Sequence, residues 1–167
     1  MLVPIVMRER PMVLLTERST HLSTHSGQVA FPGGKSDDTD RDAAHTALRE
    51  ASEEIGLDAW AVEVVGTLPT YTTGTRFVVT PVVALVDPDF ELVLDPNEVA
   101  EAFEVPLAFL MTPAHHRWHQ VEFDGVRREF LSMPWERDGA DGQPPRNFFI
   151  WGATAAMLRN LYSFLSA

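Results

Sequence analysis

Apolar positions fall into two patterns along this chain: short runs of β-branched and aliphatic residues, and two segments with apolar residues three and four apart. Leu2 to Met7 reads as a strand, Glu9, Arg10 and Pro11 as a turn, and Met12 to Thr16 as the second strand of a hairpin. A polar stretch, Glu17 to Gly27, leads into a short strand from Gln28 to Phe31, which delivers Pro32 and the pair Gly33 and Gly34. Helical spacing then takes over. Ala44, Leu48, Ala51 and Ile55 form one inward stripe. Thr39 or Asp40 is placed to cap its start, with Asp42 in the first turn, and Gly56 suits the position after the last turn.

Beyond the helix the strand signal returns. Val62 to Leu68 is a strand, Pro69 to Arg76 a turn-rich loop, and Phe77 to Val86 a β-branched strand in which Pro81 points to a sheet edge or bulge. A short strand is expected at Glu91 to Leu94, an acidic segment at Asn97 to Glu104, and a short helix at Pro106 to Met111. Val121 to Phe123 and Arg127 to Met133 flank Asp124 and Gly125, a hairpin signal. Trp118 and Trp135 bracket that hairpin and read as packing aromatics. Glu136 to Arg146 is a loop, Asn147 to Trp151 a last strand, and Gly152 to Leu165 a closing helix, buried through Ala156, Leu158, Leu161 and Leu165. With no repeat and no linker, residues 1–167 read as one α/β domain, a mixed sheet with helices on both faces.

Composition adds exclusions. Apolar content of 45% and charged content of 22% are ordinary for a soluble globular chain. The net charge of −11 argues against nucleic acid or an acidic membrane as partner. It does not argue against an anionic small molecule, because a bound cation reverses the local sign. The absence of cysteine removes disulfides and thiol chemistry. No apolar run reaches membrane-spanning length, and the opening MLVPIVMRERP is too short and interrupted for a signal peptide, so a cytoplasmic enzyme is expected.

Candidate chemistry sits on the first helix. Glu50, Glu53 and Glu54 occupy about one turn and repel one another. Two things can offset this: Arg49, four residues before Glu53, and a divalent cation, since clustered hard oxygens suit Mg²⁺ or Mn²⁺. In the polar stretch, Arg18 is the candidate for a phosphate, which a guanidinium matches bidentately. His21 and His25 lack helical context and a nearby Cys, and read as loop residues. Gly33 and Gly34 let the backbone come close to a ligand.

These residues resemble a known motif. The run REASEEIGL, Arg49 to Leu57, is similar to the core of the Nudix box, which runs Gly, five residues, Glu, seven residues, Arg-Glu-apolar, one residue, Glu-Glu, one residue, Gly-apolar. Counting back from Arg49 puts Arg41 at the first Glu and Lys35 at the Gly. One extra loop residue restores the pattern as Gly34, five residues, Asp40, then eight to Arg49. Leu14 to Gly34, LLTERSTHLSTHSGQVAFPGG, looks like the signature of the coenzyme A pyrophosphatase branch of Nudix hydrolases, with Ser23 where that signature has Arg.

The resemblance implies a Nudix α/β/α sandwich and further sequence before the first strand. It also implies a Mg²⁺- or Mn²⁺-dependent pyrophosphatase that splits coenzyme A or its derivatives into 3′,5′-ADP and 4′-phosphopantetheine. It assigns Arg49, Glu50, Glu53 and Glu54 to catalysis, with the Gly34 carbonyl, Glu50, Glu53 and Glu54 as metal ligands. Glu98 or Glu101 would be an added ligand or base, and Arg18, Gly33, Gly34 and Arg76 would contact substrate. The general base stays open. The expected partner is a small nucleotide, with no nucleic acid and no membrane, and a homodimer is left open. ADP-ribose or another nucleoside diphosphate derivative is the rival substrate. A catalytically inactive nucleotide-binding domain is the rival class, against which the three retained glutamates argue.

Overall fold

The computed structural model describes residues 1–139, 142 and 144–167. Two compact units are formed, Met1–Leu107 and Ala108–Ala167.

The first unit opens with β1 (Leu2–Val6), β2 (Met12–Arg18) and β3 (Val29–Ala30), followed by α1 (Ala43–Ile55). A 3-10 turn at Ala59–Ala61 leads to β4 (Val62–Thr67), β5 (Tyr71–Thr72), β6 (Val78–Val79), β7 (Val82–Val86) and β8 (Val99–Pro106). The main sheet has the order β3-β2-β1-β7-β4, with β8 paired to β2. β1 and β7 run parallel, Leu2 opposite Val82 through Val6 opposite Val86, and the other pairings are antiparallel. The sheet is therefore mixed, as expected. A parallel pair needs a crossover, and α1 lies within that connection. All of β1 is buried, which explains its uninterrupted apolar run.

α1 lays Ala47, Ala51 and Ile55 on Leu2, Val6, Leu14, Val82, Ala84 and Val86, with Ala44 and Leu48 partly buried beside them. Each fully buried large aliphatic contributes about 1.5–3 kcal/mol, so this stripe fixes the helix on the sheet. The helix cap differs from expectation. Asp42, not Thr39 or Asp40, is the N-cap, accepting from the His45 N–H at 2.8 Å. Asp40 is taken up by Arg49 instead. At the other end Gly56 adopts φ 67°, and its N–H reaches the Ala51 and Ser52 carbonyls. A Cβ there would lie 2.9 Å from the Val93 backbone.

Two strand expectations fail for identifiable reasons. Phe77 to Val86 is not continuous. Pro81 separates β6, which pairs with β5 in a small ribbon, from β7, which lies between β1 and β4 rather than at an edge. Glu91 to Leu94 forms no strand. Its backbone serves α1, with Val93 N–H donating to the Ile55 carbonyl and Asp95 N–H to the Glu54 carbonyl, both at 2.9 Å. Those carbonyls belong to the last turn, which lacks intrahelical partners.

The boundary between the units falls in α2 (Leu107–Leu110). In the second unit a 3-10 turn at Pro113–His115 precedes β9 (Arg117–Phe123), β10 (Val126–Arg137), β11 (Arg146–Trp151) and α3 (Gly152–Leu165). The three strands form an antiparallel sheet in the order β11-β10-β9. Asp124 and Gly125 have φ 56° and 72°, as a two-residue hairpin demands. Of the loop expected over Glu136 to Arg146, residues 140, 141 and 143 lie outside the described residues, and β10 and β11 take both of its ends. α3 packs on β10 and β11 through Thr154, Ala155, Met157, Leu158 and Leu161. Ala156 is only half-buried and Leu165, in the last turn, is exposed, so neither anchors the helix as expected. Trp135 stacks on Phe148, whereas Trp118 is exposed. No helix among the described residues is long and apolar enough to cross a membrane.

Candidate active site

The loop ahead of α1 is organised by one carboxylate. Asp40, with a side chain 2% exposed, accepts from Arg49 Nε at 3.0 Å and Arg49 Nη2 at 2.9 Å. It also accepts from the Asp37 N–H, the Thr46 hydroxyl and His45 Nδ1 at 2.8, 2.9 and 3.0 Å. The paired Arg49 first, then the Asp37 N–H, hold its carboxyl far below the usual range. His45 Nδ1 must therefore carry the proton. Asp40 in turn raises the Arg49 guanidinium. Arg49 also donates to the Lys35 carbonyl at 3.0 Å, and its Nη1 lies 3.1 Å from both Glu50 Oε1 and Glu53 Oε2. One guanidinium thus ties the loop to the helix. Asp40, which aligns with the first acid of the box once one loop residue is added, is the carboxylate that pairs with the Arg of the box.

The last turn of α1 is unlike this. Glu54 is 5% exposed, and its Oε2 accepts the Gly33 N–H at 3.1 Å. Burial pushes its carboxyl up to about 7, helped by the charges of Glu98 and Glu50 and opposed by the Gly33 N–H and Arg18. The half-buried Glu50 is also raised, first by burial and then by Glu53 and Glu98, against the pull of Arg49. Gly34 lies against the Glu50 carboxylate so closely that a Cβ would sit 2.5 Å from it. A side chain there would force the Glu50 carboxylate to move. Glu53 points outward, its side chain 60% exposed.

Other parts of the chain supply further charges, Glu98 and Arg18 among them. Glu98 arrives because Asp95 is tied to the end of α1, the Glu98 and Val99 N–H groups return to the Asp95 carbonyl, and the Glu98 carbonyl accepts from Ser19 N–H at 2.9 Å. Arg18, at the end of β2, presses on Glu54 electrostatically, and its Nε is buried without a hydrogen-bond partner among the described residues. Two candidates stand apart. Glu101 pairs across from Glu17. By strand alternation it lies on the sheet face turned away from Leu14, Ala102 and α1. Arg76 is exposed at the tip of the β5–β6 ribbon, with φ 66°. His25 Nδ1 pairs with the Gln28 side chain at 3.0 Å within a loop folded on itself, and Ser23 is exposed there. What sequence reasoning missed is the support: the Thr46 and His45 contacts to Asp40, and the segment Val93 to Asp95 that sets Glu98. That segment has no periodic signal.

The chain's similarities identify its family. The NUDIX domain model matches residues 1–126. The uncharacterized Nudix hydrolase NudL of Escherichia coli K12 is 43% identical over 160 residues, which is 96% of this chain and 78% of that protein. Among solved structures, a Caenorhabditis elegans Ap4A hydrolase binary complex superposes with a TM-score of 0.55 at 19% identity, covering 64% of this chain and 78% of that one. RenU, a Nudix hydrolase from M. smegmatis, gives 0.52 at 27% identity, covering 64% and 67%. The chain belongs to the Nudix hydrolase family. Members generally hydrolyse small nucleotide substrates with divalent ions such as Mg²⁺ or Mn²⁺.

The donor chemistry here fits such an ion. Glu50 and Glu54 offer hard oxygens whose charged forms are disfavoured as they stand, and an adjacent cation would relieve that. The geometry is not yet that of a chelate: among the described residues, no three His, Cys, Asp or Glu side chains are grouped tightly enough to hold one.

Proposed function

We propose that this chain is a Mg²⁺- or Mn²⁺-dependent pyrophosphohydrolase of coenzyme A or its derivatives, releasing 3′,5′-ADP and 4′-phosphopantetheine. The observation that carries the hydrolase reading is the meeting of Glu50, Glu54 and Glu98 beside the Gly33–Gly34 turn, with Arg18 against them. The substrate reading rests on the run Leu14 to Gly34, which supplies both Arg18 and that turn.

Glu50, Glu53, Glu54 and the Gly34 carbonyl would hold the ion, which when bound neutralises phosphate oxygens and acidifies a water. The chain's own contributions are distinct. Arg49, anchored on Asp40, holds Glu53 and Glu50 in orientation. Arg18 would offer its guanidinium to a phosphate oxygen. Gly33 and Gly34 bring backbone within reach of the diphosphate. Glu98, the exposed member of the acid cluster, takes the proton from the attacking water or adds a ligand, a part for which Glu101 is poorly placed.

Ser23 favours one second reading, a Nudix pyrophosphatase of ADP-ribose or a related nucleoside diphosphate, because the coenzyme A signature has Arg there. The test is a panel of coenzyme A, ADP-ribose and NADH at equal concentration, with and without Mg²⁺, followed by product analysis. Formation of 3′,5′-ADP with the highest specificity constant for coenzyme A is expected. Preference for ADP-ribose would replace the substrate assignment, and no metal-dependent product from any of the three would remove the enzymatic one.

A further inference from the structure

Lys35 is the only lysine in a chain with 24 acidic residues. It directly follows Gly34, the residue packed on the Glu50 carboxylate, and its carbonyl is held by Arg49. Its side chain is exposed, yet among the described residues its ammonium pairs with no carboxylate, although Asp37 and Asp38 lie two and three residues on. Its Nζ lies 5.4 Å from the centroid of the Phe77 ring. An aromatic face holds an ammonium without neutralising it, and leaves its donors directed outward.

Phe77 is itself held. Its N–H donates to the Thr73 hydroxyl at 3.1 Å, and its carbonyl accepts from the Thr73 N–H at 2.8 Å. The left-handed Arg76, whose N–H returns to the Thr73 carbonyl, closes the tip between them. The β5–β6 ribbon therefore presents, on a held backbone, a ring, 54% exposed, to a cation at the glycine turn. No core packing explains a phenylalanine exposed to that degree on so short a ribbon.

We propose that Lys35 is a substrate-binding residue that takes the anionic diphosphate on its ammonium, and that Phe77 is the positioning residue that keeps this ammonium beside the glycine turn. This rests on the diphosphate-hydrolase reading. A carboxylate partner would compete with the substrate for the ammonium, whereas the ring releases it at small cost, so binding is affected and chemistry is not.

The single lysine gives a direct test. Lysine carrying ¹³C at Cε, incorporated into the full chain, yields one side-chain resonance. In the wild type it is displaced by the Phe77 ring current, and in Phe77→Leu it returns to the ordinary lysine position. Adding imidodiphosphate with Mg²⁺ moves the wild-type resonance again. In kinetics, Lys35→Met raises KM about tenfold with kcat within about threefold. Phe77→Leu raises KM roughly two- to fourfold, and Phe77→Tyr restores it. An undisplaced lysine resonance in the wild type overturns the positioning role. A KM within twofold of wild type in Lys35→Met, on a substrate the wild type turns over, overturns the recognition role. A wild type inert on every diphosphate overturns the functional reading itself, and this inference with it.

Discussion

The two ends of one helix treat negative charge in opposite ways. At the start of α1, Asp40 is buried and accepts five hydrogen bonds among the described residues, two from a guanidinium. Near the end, Glu54 is as deeply buried but accepts one backbone N–H and faces two other carboxylates. The same residue chemistry thus gives a carboxyl held far below its usual range and another pushed up to about 7. The satisfied end is scaffold. At the unsatisfied end the charged form is disfavoured, which a proton or an incoming cation would relieve.

Removing charge from the unsatisfied end has the largest expected effect. Glu54→Gln lowers turnover in saturating Mg²⁺ by about a thousandfold, roughly 4 kcal/mol, and Glu53→Gln acts in the same direction. A rate within threefold of wild type would take these residues out of the mechanism. Stability moves the other way. Because the folded carboxyl of Glu54 is raised from 4.5 to about 7, the metal-free protein binds the extra proton in that window. Its stabilisation is complete below pH 4.5 and lost as pH rises through 7. At pH 8 metal-free Glu54→Gln should therefore be more stable, by an amount on the order of 2–3 kcal/mol. Melting temperature against pH, with and without the variant, checks both the sign and the window.

Breaking the satisfied end comes next. Arg49→Ala removes the two bonds to Asp40 and the ties to Lys35 and Glu53 together. Charge-assisted bonds of about 1.5–3 kcal/mol each make a hundredfold loss in turnover, with a higher metal requirement, the expected result. A rise in KM alone, at unchanged metal dependence, would place Arg49 on the substrate rather than on the scaffold.

Glu98 against Glu101 sharpens the comparison within one segment. Glu98→Gln is expected to lower kcat about tenfold, and Glu101→Gln to stay within about twofold, measured side by side at several Mg²⁺ concentrations. Equal losses would erase the distinction that the strand register draws. The smallest effect belongs to Ser23→Arg, which adds a cation to the exposed loop after Arg18. It should raise the preference for coenzyme A over dephospho-coenzyme A by a few-fold, up to about tenfold if a charge-assisted bond to the 3′-phosphate forms. An unchanged ratio of specificity constants means that position 23 does not read that phosphate.

The sequence by itself determined the parts whose physics is local. Three- and four-residue spacing set α1 and its buried stripe, Gly56 set its end, Asp124 and Gly125 set the β9–β10 turn, and the length of α3 followed from the residues between Gly152 and Leu165. The pairing of Arg49 with Glu53 and the reading of Asp40 as the box's displaced acid were legible for the same reason, being spacing along one loop and helix. Tertiary structure decided what depends on partners distant in sequence. Asp40 could not be excluded as a cap until Arg49 claimed it, so Asp42 took that place. The apolar run Glu91 to Leu94 had a strand's composition, but its N–H groups were needed by the carbonyls of Ile55 and Glu54. That same attachment carries Glu98 to the acid cluster, while the register with β2 turns Glu101 away from it. Pattern records which side chains a segment offers. Which backbone groups remain unpaired, and which charges burial forces together, is fixed only when segments far apart in the chain meet.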